Sequence, residues 1–166
     1  MIITWTGHRP DKLNHEWDGI GPWSDAIRLY MVQQIVKHNV KMFVSGLALG
    51  TDLLAAEVAI EHNLKLIAAA PCDNHTKGWN PVNLARIERI KGHSRCRYIN
   101  VCPGPYEKWK MQARNIWMVN KGNGVSGIFD GSRGGTANCL EYAMQQLKKG
   151  RLNFVEQVDP RKLIAL

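Results

Sequence analysis

Residues 124–144 carry the combination of residue types that is best suited to binding a phosphate group. The apolar run 125–129 predicts a buried strand, three glycines follow within residues 130–135, and a helical pattern of apolar residues begins at Ala137. A helix N-terminus presents unpaired N–H groups, and glycine lets an anion approach the backbone closely. Thr136 is also expected to cap this helix with its hydroxyl. The predicted phosphate-binding residues of this loop are Gly131, Gly134, Gly135 and Thr136.

Further residues suited to the same ligand follow other predicted strands. Residues 45–52 form a second glycine-bearing loop, which opens an alanine-rich helix that Thr51 or Asp52 is expected to cap. Asp52, Asp73 and Asp130 follow predicted strands, where carboxylates suit ribose hydroxyls, although Asp52 and Asp130 also fit plain turn and capping roles. The remaining predicted ligand-binding residues are Gly7, His8, Arg9, Ser45, Gly46, Gly50, Asp52, Pro71, Arg114, Asn115 and Asp130.

Three arginines offer phosphate contacts, whereas the residue pattern identifies no catalytic group. Arg9, Arg114 and Arg133 suit bidentate contacts with phosphate, the alternative being that they are only solvated or packed. His8 has no carboxylate nearby in the sequence, so a ligand contact or a loop position is favoured over general-base catalysis. Glu141 lies one turn into the helix after the glycine loop, where a surface position or an ion pair fits as well as catalysis. The catalytic residues are therefore left open, with Arg114 and Glu141 as candidates.

Apolar runs and helical periodicity alternate along the whole chain. The predicted strands are residues 2–6, 41–45, 64–70, 98–102, 125–129 and 152–155. The predicted helices are residues 22–38, 53–60, 80–92, 106–120 and 137–149, before a moderately ordered tail at 159–166. This alternation predicts an α/β fold with a mostly parallel sheet and helices on both faces.

The connections of such a sheet predict a binding cleft. Right-handed crossovers place every strand-to-helix loop at one edge of the sheet, and open α/β sheets bind their ligands at that edge. The loops expected to meet there are those at Gly7, Gly46, Pro71, Gly104 and Gly135. The alternative for each glycine loop is a connection that only needs a tight turn.

The composition predicts a soluble cytoplasmic domain with an anionic partner. At 166 residues the chain is long enough for one domain with a buried core, and no run of about 18 apolar residues predicts a membrane span. The N-terminus lacks the features of a signal peptide, so the cytoplasm is the expected compartment. The net charge of +8 suits a polyanion, either a phosphorylated small molecule or nucleic acid. The basic run at residues 86–97 is interpreted as a solvated helix face rather than a nucleic-acid groove.

Missing motifs exclude several enzyme classes. The chain has no Walker motif, no Gly-x-Gly-x-x-Gly after the first strand and no His-Glu-x-x-His, which argues against P-loop nucleotidases, ordinary NAD oxidoreductases and zinc proteases. Four cysteines lack metal-ligand spacing and are expected to be reduced in the cytoplasm. They are Cys72, Cys96, Cys102 and Cys139. No metal and no required cofactor are predicted.

Four motifs, taken in order, resemble the SLOG superfamily and most closely its YpsA-like branch. They are Thr6-Gly7-His8-Arg9-Pro10, Ser45-Gly46-x-Ala48-x-Gly50-Thr51-Asp52 with the Ala55-Ala56-Glu57-x-Ala59 helix, Arg114-Asn115-x-x-Met118, and Gly134-Gly135-Thr136-x-x-x-x-Glu141-Tyr142-Ala143. The second motif is also similar to the Rossmann domain of DNA-processing protein A. The resemblance covers about residues 1–150. It implies a Rossmann-like three-layer sandwich and a nucleotide-type ligand held by these loops.

The resemblance implies two groups of function. One group binds or senses nucleotides, including ADP-ribose-like, NAD-derived or cyclic nucleotides in phage–bacterium conflict, and the other, the LOG-type phosphoribohydrolases, cleaves the base from a nucleoside monophosphate. The acid that LOG-type enzymes carry three residues after the threonine is Cys139 here, and Glu141 lies about 200° further around the helix. We therefore expect nucleotide binding for sensing or sequestration. An N-glycosidase that uses Arg114 and Glu141 is the alternative.

Nucleic acid is a less favoured partner than a nucleotide, and a second copy of the chain is an expected one. A single-stranded DNA-binding accessory role is the third hypothesis, suggested by the net charge and by the likeness to DNA-processing protein A. The family resemblance also implies a homo-oligomer. The helix that carries Trp109 and Trp117 is either its interface or part of the core.

Overall fold

A computed structural model describes residues 1–165 and contains one six-stranded parallel sheet. The strands are β1 (Ile2–Gly7), β2 (Met42–Ser45), β3 (Lys65–Ala70), β4 (Cys96–Asn100), β5 (Gly124–Ile128) and β6 (Phe154–Val158). Their order across the sheet is β4-β3-β2-β1-β5-β6, and all five neighbouring pairs are parallel. The chain therefore builds outward from β1 in one direction, returns to its other side at β5, and continues to β6.

Helices cover both faces of this sheet. They are α1 (Pro22–Lys37), α2 (Thr51–Glu61), α3 (Pro81–Lys91), α4 (Lys108–Lys121), α5 (Gly135–Lys148) and α6 (Pro160–Ile164), with a 3₁₀ helix at Pro10–Lys12. α1 packs against α2 and α6, and α2 packs against α3, whereas α4 and α5 pack against each other. This arrangement confirms the predicted Rossmann-like α/β sandwich. Within residues 1–165, no helix combines the length and the apolar character needed to cross a membrane.

The main core fills the space between the sheet and the layer that contains α1 and α2. Trp5 and Phe43 are fully buried there, with ring centroids 5.4 Å apart and their planes at 68°. Residues 51–59 of α2 are all buried, and their alanines let the helix approach the strands closely. Trp117 of α4 packs against a smaller core cluster on the other face, whereas Trp109 is exposed. Trp117 is therefore a core residue, and Trp109 is free of the core.

Predicted element bounds shift most at the two edges of the sheet. The strand expected at 98–102 begins and ends two residues earlier, and the strand expected at 152–155 is observed as β6, Phe154–Val158. Both are edge strands with partly exposed side chains, so they lack the continuous apolar run that marks a strand covered on both faces. The tail expected at 159–166 contains α6, and residue 166 lies outside the described residues.

A buried carboxylate corrects the interpretation of the basic run. Arg86 was expected on a solvated face, but it is buried and donates two hydrogen bonds to Glu57, one of them from Nε at 3.2 Å. Glu57 also accepts hydrogen bonds from Arg28 and Arg89, each at 3.0 Å. The Glu57 carboxylate thus joins α1, α2 and α3. The sequence concealed this role because the partners lie about thirty residues apart in the chain.

Glu57→Gln is expected to destabilise the protein by about 3–5 kcal/mol, because it leaves the buried Arg86 guanidinium without its counter-ion. Urea unfolding followed by circular dichroism measures this change. Glu61→Gln is the matched control, since Glu61 is about half exposed and lies 3.6 Å from Arg28. That exposed pair should contribute less than about 1 kcal/mol. Equal losses in the two variants would show that Glu57 has no special role.

Candidate functional site

A cleft of about 710 Å³ opens at the carboxyl ends of β1 and β5, where the order of the strands reverses. Its walls come from the loop after β1, the loop after β5 and the first half of α4. This position and this size are typical of ligand sites in open α/β sheets. The predicted residues that line the cleft are Gly7, His8, Arg9, Asp52, Arg114, Asn115, Gly134, Gly135 and Thr136. The cleft lining does not include Ser45, Gly46, Gly50, Pro71, Asp73, Asp130, Gly131 or Glu141.

The N-terminus of α5 faces the cleft and is unobstructed. Gly134 is the N-cap residue with φ 144°, and no side chain of residues 1–165 caps this end. Thr136 is therefore not the cap that the sequence predicted, because the helix begins at Gly135, two residues before the predicted start at Ala137. A Cβ atom at Gly134 or Gly135 would meet no other atom within 4 Å. The first N–H groups of the helix are thus open to a ligand, and the helix dipole favours an anion there.

The N-terminus of α2, in contrast, is closed by the chain itself. The backbone N–H and hydroxyl of Thr51 both donate to the His8 carbonyl, at 3.2 and 3.1 Å. The Ser45 hydroxyl donates to the Asp52 carbonyl at 2.6 Å, and the Asp52 carboxylate accepts from the Ala48 N–H at 3.4 Å. These groups are therefore already bonded within the chain, and phosphate binding by residues 45–50 stays a prediction. Neither Thr51 nor Asp52 caps α2 as the N-cap residue, which is glycine.

Two glycines make this closure sterically feasible. A Cβ at Gly7 would lie 2.4–2.7 Å from the Thr51 side chain, and one at Gly50 would lie 2.6 Å from the His8 carbonyl oxygen. Gly50 also has φ +90°, a conformation that other residues rarely adopt. Both glycines are thus needed for packing where the loop after β1 crosses the start of α2.

Arg114 lies at the centre of the site, but its guanidinium is already engaged. It donates to the carbonyl oxygens of Gly46 and Ala69, the latter at 3.2 Å, and its Nε donates to Asn115 Oδ1 at 3.0 Å. Burial lowers the pKa of Arg114, and the nearby Asp52 carboxylate opposes this shift. Burial likewise raises the pKa of Asp52, while Arg114 lowers it. Arg114 therefore ties α4 to the ends of β2 and β3, and its stem is packed.

Gly46 provides the space for this contact. A Cβ at Gly46 would lie 2.6 Å from Arg114 Cζ and 2.7 Å from Asp52 Oδ2. The second motif therefore needs glycine at position 46, because the Arg114 guanidinium and the Asp52 carboxylate occupy the space that a side chain there would fill.

Besides Arg114, four cationic side chains line the cleft: Arg9, Lys12, Lys108 and Arg133. Lys12 donates to the Ser132 hydroxyl at 2.6 Å, whereas the other three form no ion pair with a carboxylate of residues 1–165. Their unpaired charges raise the local concentration of anions. Sequence reasoning identified Arg9 and Arg133 but missed both lysines, because neither belongs to a motif.

His8 has a carboxylate partner that is distant in the sequence. Its Nε2 lies 2.8 Å from Asp130 Oδ1, and the Ser132 N–H donates to the same oxygen at 2.8 Å. Hydrogen bonds from Ser132, and then from His8, hold the pKa of the Asp130 carboxyl well below its usual range. Asp130 therefore connects the loop after β5 to the loop after β1. The Asp130 carboxylate is not among the residues that line the cleft, and it orders the site by holding these two loops together.

Few acidic groups face the cleft. The carboxylates among its lining residues are Asp11 and Asp52, and Glu141 is exposed outside it. Sequence reasoning missed Asp11 because the residues before α1 show no helical or strand periodicity.

The cysteines are neutral or free thiols. Cys139 is buried, and burial raises its pKa to about 11, so the thiol is neutral at pH 7. All four cysteines are free thiols, and no cluster of three potential metal ligands occurs in residues 1–165.

A side pocket of about 420 Å³ continues from the cleft. Its walls include Trp17, Leu49, Pro71, His75, Trp79 and Met111. It shares Arg9, Asp11, Ala48, Tyr106, Met111 and Arg114 with the cleft. Gly46 and Pro71 were both predicted to bind ligand, and both line this pocket. The two tryptophans were missed because they lie in loops without periodicity.

Replacing Asp130 with asparagine should change how stability depends on pH. Because the folded-state pKa of Asp130 lies below the unfolded value of about 3.9, its contribution is present above that pH and is lost as the pH falls through the folded pKa. We expect wild type to exceed Asp130→Asn in free energy of unfolding most above about pH 5, and the difference to shrink below about pH 4. Urea unfolding at a series of pH values measures it. A difference that grows on acidification would contradict the proposed carboxylate contacts.

Solved structures with the same fold include two DNA processing proteins. The protein from Streptococcus pneumoniae matches with a TM-score of 0.61 and 20% identity over 93% of this chain and 49% of that one, so this chain spans about half of its length. The protein from Helicobacter pylori, described for its single-stranded DNA binding mode, matches with a TM-score of 0.58 and 16% identity over 99% of this chain and 79% of that one. Both likenesses concern the fold.

Sequence comparisons identify the family. The SPbeta prophage-derived protein YoqJ of Bacillus subtilis (strain 168) is 30% identical over 134 residues, which are 72% of this chain and 78% of the relative. The sequence pattern of the YspA SLOG family (YpsA) matches residues 3–163. These matches confirm the resemblance seen in the four motifs: the chain belongs to the YspA SLOG family.

Proposed function

We propose that this chain binds a nucleotide-type ligand in the cleft, for sensing or sequestration, with a phosphate at the N-terminus of α5. The observation that carries the proposal is the open first turn of α5, where the glycines at 134 and 135 leave free space above unpaired N–H groups. Three unpaired cationic side chains line the same cleft. Backbone donors and cations together fit a phosphate better than any neutral ligand.

The two carboxylates of the cleft suit the sugar of such a ligand. Asp11 is exposed and lines both the cleft and the side pocket, and carboxylates at this edge of α/β sheets bind ribose hydroxyls. Asp52 also lines the cleft, but it is mostly buried beside Arg114. Asp130, the other acid expected to bind ribose, already accepts hydrogen bonds from His8 and Ser132. Asp11 is therefore the best ribose partner.

Binding without turnover is favoured over N-glycosidase activity. A glycosidase needs a carboxylate beside the oxocarbenium-like carbon of its transition state. Helix α5 brings no carboxylate to the cleft, since Glu141 is exposed elsewhere and Cys139 is a buried neutral thiol. The Arg114 guanidinium, the other candidate catalytic group, is occupied by backbone carbonyls.

Single-stranded DNA is the second candidate ligand, and the observation that favours it is a pair of exposed aromatic side chains. Tyr106 and Trp109 are 65% and 59% exposed, and both line the cleft together with Lys108. Aromatic platforms beside cations are typical of single-strand binding. The Helicobacter pylori protein of similar fold binds single-stranded DNA.

Gly135→Asp tests the phosphate site without disturbing the fold. The new side chain would meet no atom within 4 Å of its Cβ, and an acidic group suits the first turn of a helix, so stability should be unchanged or slightly raised. Its carboxylate would occupy the N–H groups and repel phosphate. We expect AMP and ADP-ribose to bind at least about tenfold more weakly than to wild type by isothermal titration calorimetry.

Gln145→Glu is the matched control, because it makes the same change in charge at an exposed position of α5 far from its first turn. Its affinity should stay within about twofold of wild type, as expected for a screened surface charge. The proposal fails if wild type binds none of AMP, ADP-ribose and cyclic nucleotides at millimolar concentration. In that case, salt-sensitive binding of an oligothymidylate that weakens in Trp109→Ala would establish the second candidate.

A further inference from the structure

We infer that the side pocket binds the base of the nucleotide whose phosphate lies at α5, an inference that rests on the proposed function. The pocket and the cleft share six lining residues, so one ligand can occupy both. The residues that line only one of the two differ in kind: Trp17, Leu49 and Trp79 line the side pocket alone, whereas the glycine loop and three further cationic side chains line the cleft alone. A nucleotide has the same polarity, with an anionic phosphate at one end and a flat, weakly polar base at the other.

The shape of the side pocket suits a planar ring. Trp79 is partly buried against the main core, and the His75 ring meets it edge to face, with centroids 5.9 Å apart and planes at 88°. Trp17 is 46% exposed, so part of its indole surface is accessible to a ligand. Leu49 and Met111 supply further apolar contacts. Flat rings packed among aromatic and aliphatic side chains gain both burial and stacking energy.

His75 gives this pocket a neutral hydrogen-bonding group. Burial, together with the positive charges of Arg114 and Lys91, lowers its pKa to about 4, so the imidazole is neutral at pH 7. A neutral imidazole carries one donor and one acceptor, and the edge of a base presents the same two kinds of group. The His75 imidazole therefore matches the edge of a base, whereas Arg9, Asp11 and Arg114 belong to the part of the pocket that is shared with the cleft.

The residues shared by the two compartments fit the sugar between base and phosphate. Asp11 is the exposed carboxylate of this junction, and Arg9 is a cation without an ion pair in residues 1–165. A carboxylate accepts hydrogen bonds from the two hydroxyls of ribose, while a guanidinium contacts the phosphate beyond it. The order along the site is thus phosphate at α5, ribose at Asp11 and base in the side pocket.

Comparing AMP with ribose 5-phosphate separates the base from the rest of the ligand. The full chain is titrated with each compound by calorimetry. If the side pocket binds the base, wild type should bind AMP about tenfold or more tightly than ribose 5-phosphate, since stacking on aromatic side chains contributes roughly 1–3 kcal/mol per base.

Two variants locate this contribution. Trp17→Ala removes an exposed indole from the side pocket, and Leu49→Trp places a larger side chain in the same pocket. Each should weaken AMP about tenfold and leave ribose 5-phosphate within about twofold. Leu29→Ala, an exposed position on α1, is the control and should change neither affinity.

The outcomes distinguish this inference from the proposed function. Equal affinities of wild type for AMP and ribose 5-phosphate, or unchanged AMP binding in both variants, would overturn the base pocket and leave the phosphate site standing. If neither AMP nor ribose 5-phosphate binds wild type, the base pocket fails, and the proposed function fails with it only if ADP-ribose and cyclic nucleotides also do not bind. Loss of AMP binding with ribose 5-phosphate binding retained establishes the inference.

Discussion

The reversal of strand order beside β1 is the constraint on which the site depends. The chain leaves β1 for α1 on one face of the sheet and leaves β5 for α5 on the other, so the two adjacent loops diverge and open a cleft between them. No side chain needs to move for this opening, because it follows from the topology. The contact between His8 and Asp130 then fixes the distance between the diverging loops. The open α5 terminus is held at the cleft by these two features together.

Two glycine loops at the same edge have opposite roles, and packing decides which is which. At α2 the loop after β1 crosses the helix start, so Thr51 donates hydrogen bonds to the His8 carbonyl, and the helix is buried between the sheet and two other helices. At α5 nothing crosses, and the glycines at 134 and 135 face open space. Glycine therefore serves close approach in the first loop and access in the second. Glycine is thus present for two different physical reasons, and the residues around each glycine do not show which reason applies.

The sequence was sufficient for the fold and for the position of the cleft, because both follow from alternating periodicity and from the handedness of crossovers. It was insufficient to predict which side chains form hydrogen bonds with each other. Asp130 lies 122 residues from His8, and Glu57 lies 29 residues from Arg86, so no local pattern reports either contact. The bounds of the edge strands β4 and β6 were predicted incorrectly because a strand with partly exposed side chains lacks a continuous apolar run. Trp17 and Trp79 were missed since loop residues carry no period, although they line a pocket next to the predicted site.

The charges of the cleft explain why retention of an anion fits this site better than its cleavage. Hydrolysis of a glycosidic bond requires an ionised carboxylate near a carbon that becomes positive. Five cationic side chains, Arg114 included, line this cleft, the thiol of Cys139 is protonated at pH 7, and Asp52 is buried with a pKa raised by that burial. Such surroundings stabilise negative charge and would oppose a developing cation. Charge and topology therefore support the same proposal: the cleft attracts anions, and the open start of α5 is suited to hold a phosphate there.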